Sequence, residues 1–227
     1  MFKKILSNFT KNQLSFNRNK KIKSEEYKYF SYLFGNLNIN DFVVFARENY
    51  LNKDYESHAY VDFDYRIVID IINDEIIKKL INVNCIHLAS GAGKIIFLLS
   101  KLYSFNEYIG VENMFELHEL SNILMEKVLN SEYSTVVKDK NISFINAELL
   151  SADLKNKNLI IIDYNNTDNV FNTMLENKII NEAEKGCKIV KILKPFQQNI
   201  GLKLIKIKVV KNKTNRKILV YYYNKEI

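Results

Sequence analysis

The chain has no tryptophan, a single proline, six glycines and two cysteines among its 227 residues. Such low proline and glycine content, with 47% hydrophobic residues, predicts dense regular structure around a sizeable core. Cys85 and Cys187 belong to no CxxC motif or Cys/His cluster, which predicts two buried thiols, no disulfide and no metal site. Since no apolar run approaches the roughly 20 residues that cross a bilayer, and no signal-peptide core is present, we expect a cytoplasmic protein with no membrane partner.

The net charge of +7 is divided unevenly along the chain. Residues 1–24 carry seven basic side chains and residues 185–225 carry twelve, and neither segment contains an acid. Residues 25–184 hold 25 acidic against 14 basic side chains. We therefore predict that residues 1–23 form a basic, flexible leader, with nucleic-acid binding through this leader as the alternative.

Residues 24–63 are predicted to form a small helical cap on the main domain. An aromatic amphipathic stretch follows Ser24, a residue that favours helix starts, and Gly35 favours the end of that helix. Asn40 and Asp41 favour the start of a second helix that runs to about Tyr50. The main domain is predicted to span residues 64–227.

From residue 64 onward, apolar strands alternate with amphipathic helices. The pattern predicts helices over 64–81, 93–102, 115–130 and 170–183, and strands over 83–88, 107–111, 142–146, 159–163 and 187–193. Continuously apolar strands separated by helices are typical of a parallel sheet that is covered on both faces.

The end of the chain follows a different pattern. Residues 202–210 and 217–223 predict two strands whose link is too short for a crossover helix, so they must pair as an antiparallel hairpin. The predicted fold class is therefore α/β, with a doubly wound, mostly parallel sheet of seven strands closed by this hairpin. Lys203, Lys206 and Lys208 are expected to discourage edge pairing, with phosphate binding as the alternative.

The most informative motif is the segment 86–93, IHLASGAG, with Glu112 at the end of the next predicted strand. A small-residue turn between strand and helix lets the backbone approach a ligand. A carboxylate at the end of the next strand accepts hydrogen bonds from both hydroxyls of a ribose. The motif therefore predicts a nucleotide-binding βαβ unit. Two positions depart from the usual pattern, because Ala89 replaces a glycine and His87 replaces an acid. With alanine at 89, the turn is expected to avoid a positive φ.

From about residue 58 to its end, the chain resembles the class I S-adenosylmethionine-dependent methyltransferases. Within them it is most similar to the lysine methyltransferases related to the disruptor-of-telomeric-silencing enzymes and their small prokaryotic relatives. The resemblance rests on LASGAG at 88–93, GVE at 110–112, NAELL at 146–150, and GCKIV through KPF at 186–196. It implies S-adenosyl-L-methionine as the cofactor and a protein lysine side chain as the methyl acceptor.

The resemblance also implies a set of cofactor-binding residues. Gly91 would let the backbone approach the cofactor, Gly93 would let the following helix pack closely, and Glu112 would bind the ribose. Glu148 would accept a hydrogen bond from the adenine amine, with a helix-cap role as the alternative. The complete predicted set is Tyr60, Ala89, Ser90, Gly91, Gly93, Glu112 and Glu148.

The turn after the fourth predicted strand, Asp163 to Asn166, indicates the substrate class. It lacks the proline of the Asn/Asp-Pro-Pro-aromatic turn with which amino-methylating DNA and RNA enzymes grip a flipped base. The resemblance therefore implies a protein amine, with Asp163, Tyr164 and Asn165 as catalytic residues. Asp163 or a water would accept the proton. Tyr164, Asn165, Tyr60 and Phe63 would line an amine channel, with a core role for the aromatic rings as the alternative.

Two other functions stay open from the sequence. The substitutions at His87 and Ala89 suit a protein that keeps the cofactor fold without catalysis. The basic leader suits an RNA methyltransferase.

Overall fold

The computed structural model describes residues 24–39, 63–164, 169–197, 201–211 and 217–226. The leader 1–23 and the second predicted cap helix lie outside these ranges. The described helices are α1 Glu25–Phe34, α2 Tyr65–Ile72, α3 Glu75–Lys78, α4 Lys94–Leu102, α5 Phe115–Leu129 and α6 Asn169–Glu182. The strands are β1 Asn84–Leu88, β2 Glu107–Glu112, β3 Ile142–Asn146, β4 Leu159–Ile162, β5 Lys188–Ile192, β6 Leu202–Lys211 and β7 Lys217–Lys225.

The strands form one seven-stranded sheet in the order β3-β2-β1-β4-β5-β7-β6. Strands β1 to β5 pair in parallel, and β7 pairs antiparallel with both β5 and β6. β1 lies at the centre, with Leu88 paired to Val111 on one side and Ile162 on the other. The predicted fold class, including the closing hairpin, is confirmed.

Two hydrophobic layers cover the two faces of the sheet. One contains apolar residues of α1, α2, α4 and α5, among them Leu33, Phe97 and Leu124. The other contains Leu175 and Ile179 of α6. Cys85 and Cys187 are buried free thiols, as predicted.

The helix predicted over 64–81 is wrong, because two helices replace it. α2 ends at Ile72 and α3 starts after Asp74, whose carboxylate accepts a hydrogen bond from the N–H of Ile76. The same carboxylate lies 2.6 Å from the Nζ of Lys206 and 3.6 Å from the Nζ of Lys208, both on β6. These two lysines therefore tie the edge strand to the helical layer, a role that neither sequence alternative included.

The cap helix α1 begins at a capped turn, in which the Ser24 hydroxyl accepts a hydrogen bond from the N–H of Tyr27. Its buried side chains pack in the layer that contains α4 and α5. Lys94, the first residue of α4, donates a hydrogen bond to the carbonyl of Phe63 at 3.0 Å. The boundaries between leader, cap and main domain stay a prediction. Across the described ranges, no helix combines the length and apolar character that a membrane span requires.

Candidate functional site

The carboxyl ends of the parallel strands β1 to β5 meet at one edge of the sheet, where ligands bind in open α/β folds. All described candidates follow these strand ends. They are Ala89, Ser90, Gly91 and Gly93 after β1, Glu112 at the end of β2, Glu148 after β3, and Asp163 and Tyr164 after β4. Tyr60 and Asn165 lie outside the described residues.

The turn between β1 and α4 is left-handed at three positions. The φ angles are 58° at Ala89, 55° at Gly91 and 80° at Gly93. The expectation that alanine keeps this turn out of positive φ is therefore wrong. The N–H of Ser90 donates to the carbonyl of Val111 on β2 at 2.9 Å, and this bond fixes the turn regardless of the residue at 89. A left-handed conformation costs an L-residue about 1–2 kcal/mol.

Two glycines make room for the Phe144 ring on β3. A Cβ at Gly93 would lie 2.6 Å from that ring, and a Cβ at Gly110 would lie 2.7 Å from it and 2.8 Å from the Ser90 hydroxyl. Gly93 therefore allows close packing against the Phe144 ring, and its role in cofactor binding stays a prediction. The packing role of Gly110 was not evident from its place in the GVE segment, because the clash comes from β3 and from the turn.

Glu112 is the best-defined polar group at this edge. Its side chain is 5% exposed, and it accepts hydrogen bonds from the N–H of Gly91 at 2.8 Å and of Met114 at 2.9 Å. Burial raises the pKa of Glu112 and outweighs the opposing effect of these N–H groups. The N–H of Asn113 also interacts with this carboxylate, and since a carboxylate has about four lone-pair sites, the group is still able to accept a hydrogen bond from a ligand.

Glu148 lies beside the ends of β2 and β3. It precedes the short 3₁₀ helix Leu149–Ser151, but its side chain makes no capping hydrogen bond, so the helix-cap alternative is wrong. Its carboxylate is exposed and lies 3.5 Å from the Nδ2 of Asn113. The Asn146 amide donates to the carbonyl of Glu112 at 2.8 Å and joins the two strand ends.

The end of β4 is joined to β1, because the N–H of Asp163 donates to the carbonyl of Leu88 at 3.1 Å. Asp163 itself is partly exposed. The Tyr164 ring is buried, and its centroid lies 4.8 Å from that of Phe171 in the first turn of α6. Phe63 is also buried in the core. The burial of Tyr164 and Phe63 favours a role in core packing over a role in lining an amine channel.

His87 is buried in the middle of the sheet, next to Gly110 on β2. Among the described residues, neither ring nitrogen has a hydrogen-bond partner, and the Ser90 hydroxyl lacks one as well. Burial lowers the pKa of His87 to about 3, so the ring is neutral at physiological pH. It cannot supply the negative charge of the acid that usually stands at this position.

Sequence reasoning missed a buried charged group beside the end of β4. Lys191 on β5 is 3% exposed and Glu176 on α6 is 2% exposed. Glu176 accepts a hydrogen bond from the N–H of Gln197, the residue after Phe196, at 2.6 Å. The available signal was a lysine between apolar residues, Val190 and Ile192, in a strand predicted to be buried on both faces.

No family model and no curated protein matches this sequence. Solved structures do match the fold. One is an RNA methyltransferase from Salinibacter ruber in complex with S-adenosyl-L-homocysteine, at 14% identity and TM-score 0.54, covering 73% of this chain and 94% of that chain. A second is magnesium protoporphyrin IX methyltransferase from Synechocystis with bound S-adenosylmethionine, at 9% identity and TM-score 0.54, covering 93% and 100%.

A third match is a putative class I S-adenosylmethionine-dependent methyltransferase from Listeria monocytogenes, at 9% identity and TM-score 0.55, covering 85% of this chain and 70% of that chain. The chain therefore has the fold of the class I methyltransferases. At these identities the likeness extends to the fold alone, and it does not distinguish the lysine enzymes from other members.

Proposed function

We propose that this protein is an S-adenosylmethionine-dependent methyltransferase that methylates lysine amines of proteins. The observation that carries the proposal is the buried Glu112 carboxylate, held between the turn at Gly91 and the start of α5 at Met114. A carboxylate fixed between a glycine-containing turn and the next strand end is the group that recognises ribose hydroxyls in nucleotide-binding βαβ units.

The residues around this carboxylate fit the cofactor by their chemistry. Gly93 precedes α4 and provides no side-chain cap, so the amino terminus of α4 suits the carboxylate of the cofactor's amino-acid portion. Glu112 would hold the ribose and Glu148 the adenine amine. The buried Ser90 hydroxyl, without a partner among the described residues, adds a polar group under the same turn.

S-adenosylmethionine held by these residues would supply a methyl group to an amine nitrogen, with the electron pair of the broken C–S bond left on sulfur. Asp163 or a water would take the amine proton. A lysine with a pKa of about 10.4 is neutral in only ~0.1% of molecules at pH 7.4, so surroundings that favour the uncharged amine increase the reactive fraction. Holding an amine at near-attack distance can contribute up to ~7–11 kcal/mol in enzymes.

A protein amine as acceptor is supported by the proline-free turn that starts at Asp163 and by the Lys194-Pro195-Phe196 segment after β5. RNA is the second candidate. It is favoured by the unopposed basic charge of residues 1–24 and by the RNA methyltransferase among the matching structures.

Calorimetry with S-adenosylmethionine tests the cofactor site. Glu112→Gln is expected to weaken binding about 10–150-fold, because a hydrogen bond to a charged group contributes about 1.5–3 kcal/mol. Glu116→Gln is the matched control, since Glu116 is also a buried glutamate but lies on α5. No heat from the natural chain at millimolar ligand, or equal affinity in Glu112→Gln, would contradict the assignment.

The acceptor is tested by methyl transfer from labelled cofactor to fractionated lysate. If protease treatment removes the label and ribonuclease treatment does not, the acceptor is protein. If ribonuclease removes the label and protease does not, the acceptor is RNA. Deletion of residues 1–23 provides the matching test of the leader. If RNA binding and its salt dependence are unchanged by the deletion, the leader has no role in RNA binding.

A further inference from the structure

A lysine is buried beside the acceptor side of the proposed site. Lys191 lies near the end of β5, paired in register with Ile162, the residue before Asp163. It is 3% exposed, and its Nζ lies 5.3 Å from the centroid of the Phe196 ring, within the range of a cation–π interaction. Full burial of a lysine is rare unless an opposite charge is close.

The charges that act on Lys191 come from each element packed around it. Asp163 at the end of β4 and Glu176 on α6 stabilise its ammonium form, and Lys194 after β5 opposes it. Tyr221 on β7 is its partner across the strand pair, and the neighbouring Tyr223 hydroxyl accepts a hydrogen bond from the N–H of Phe196 at 3.2 Å. Burial is the largest effect and lowers the pKa of Lys191 to about 8.

The segment after β5 is itself held in an unfavourable conformation. Leu193 has a φ of 77°, and the N–H of Lys194 donates to the carbonyl of Ile192 at 3.1 Å. A hydrogen bond across one residue with positive φ is the rarer and more strained kind of γ-turn. Such strain persists only where surrounding contacts hold it, and it is concentrated at functional sites.

We propose that Lys191 is a positioning residue, whose ammonium links the end of β4 at Asp163 to the strained segment after β5 at Phe196. The proposal rests on the proposed methyltransferase function, because these two segments border the side on which the acceptor amine would enter. Lys191 acts through Asp163 and Phe196. Its charge attracts the Asp163 carboxylate and holds the Phe196 ring in place.

Hydrogen exchange tests this link without any knowledge of the acceptor. The reporters are the N–H groups of Phe196 and Gln197, which donate to Tyr223 and Glu176. In Lys191→Met, their protection factors are expected to fall about tenfold, and Lys191→Arg is expected to restore them. Lys188→Met is the matched control, because Lys188 makes its hydrogen bond to Asn224 at the opposite end of the same strand.

The pH profile separates positioning from simple packing. In the natural chain, protection of these two amides is expected to decline as pH rises through about 8, where Lys191 loses its proton. The decline should be absent in Lys191→Met. Unchanged protection in Lys191→Met, or equal loss in Lys188→Met, would overturn the proposal.

Methyl transfer from labelled S-adenosylmethionine to lysate provides the functional readout. In Lys191→Met, transfer is expected to fall about tenfold while the affinity for S-adenosylmethionine stays within about twofold. An equal loss of cofactor affinity would overturn the acceptor-side role. If the natural chain binds no cofactor and transfers no label, the proposed function fails, and the exchange data still decide whether Lys191 links the two segments.

Discussion

Replacing Lys191 with methionine is expected to stabilise the fold at neutral pH. Methionine is similar in length and carries no charge, so the substitution removes the cost of burying an ammonium group. Burial lowers the pKa of Lys191 from its ordinary value of 10.5 to about 8. At about 1.36 kcal/mol for each pH unit, this interval corresponds to about 3 kcal/mol of destabilisation by the charged form.

The competing effect is the loss of attraction to Asp163 and Glu176. Removing one partner of a buried ion pair usually destabilises a protein by about 3–5 kcal/mol. Here the lowered pKa of Lys191 already includes that attraction, and burial still outweighs it. The balance therefore favours stabilisation in Lys191→Met, roughly 6–12 °C in Tm for a chain of this size.

The pH dependence has a definite sign. Because the pKa of Lys191 is lower in the folded state, the unfolded state binds more protons between pH 8 and 10.5, and the stability of the natural chain rises with pH across this window. The difference from Lys191→Met should shrink accordingly. Lys127 also has its pKa lowered to about 8 by burial, so the difference between the two proteins, not either curve alone, isolates Lys191.

Urea unfolding at pH 7, 8, 9 and 10 measures the difference. Far-ultraviolet circular dichroism is the suitable probe, because the chain has no tryptophan. Lys188→Met, on the same strand, should change stability little. A loss of stability in Lys191→Met at pH 7 would refute the reasoning, since it would mean that attraction to the carboxylates exceeds the cost of burial.

Three further predictions concern the sheet edge and the helical layer. Gly110→Ala should destabilise the fold by about 1–3 kcal/mol in urea unfolding, because the new methyl group meets Phe144 and Ser90, and an unchanged midpoint would contradict this. Ala89→Gly should gain up to about 1 kcal/mol by relieving the left-handed alanine, whereas a loss would show that the turn is not strained there. Burial raises the pKa of Asp74, but hydrogen bonds from Lys206 and Ile76, with the charges of Lys206 and Lys208, lower the pKa overall. The stability that this carboxylate contributes to the fold is therefore lost as pH falls below about 4. Asp74→Asn keeps a side chain that is able to cap α3, and it should reduce the fall in the free energy of unfolding below about pH 4. An unchanged fall would contradict the role of this carboxylate.

The strands and most helices could be predicted because their causes are local. β3 matches its predicted range, 142–146; β1, β2 and β4 differ from prediction by one residue at one end, and β5 by one residue at each end. A continuous apolar run bounded by polar residues determines a strand wherever the sheet is covered on both faces. The break in the helix predicted over 64–81 has a local cause, the Asp74 carboxylate that caps α3, but the ion pair that holds this carboxylate could not be found in this way, because Lys206 is 132 residues away.

The candidate site likewise contains residues that local sequence predicts and residues that it does not. Gly91, Gly93 and Glu112 belong to a short motif with fixed spacing, and the structure places them together. Lys191 and Glu176 belong to no motif. Glu176 acts on Lys191 because α6 and β5 contribute to the same hydrophobic layer, an arrangement that depends on the whole topology and not on the residues near either position.

Unfavourable features of this molecule are concentrated at the carboxyl edge of the sheet. Ala89 after β1 and Leu193 after β5 adopt positive φ, and the other non-glycine residues that do so in the described ranges are Asn82 and Asn156, a residue type that tolerates it. Lys191 adds an ammonium buried at the same edge. Each feature costs stability, and none improves the packing of the core. Their coincidence at the edge where open α/β folds bind ligands supports the location of the proposed site.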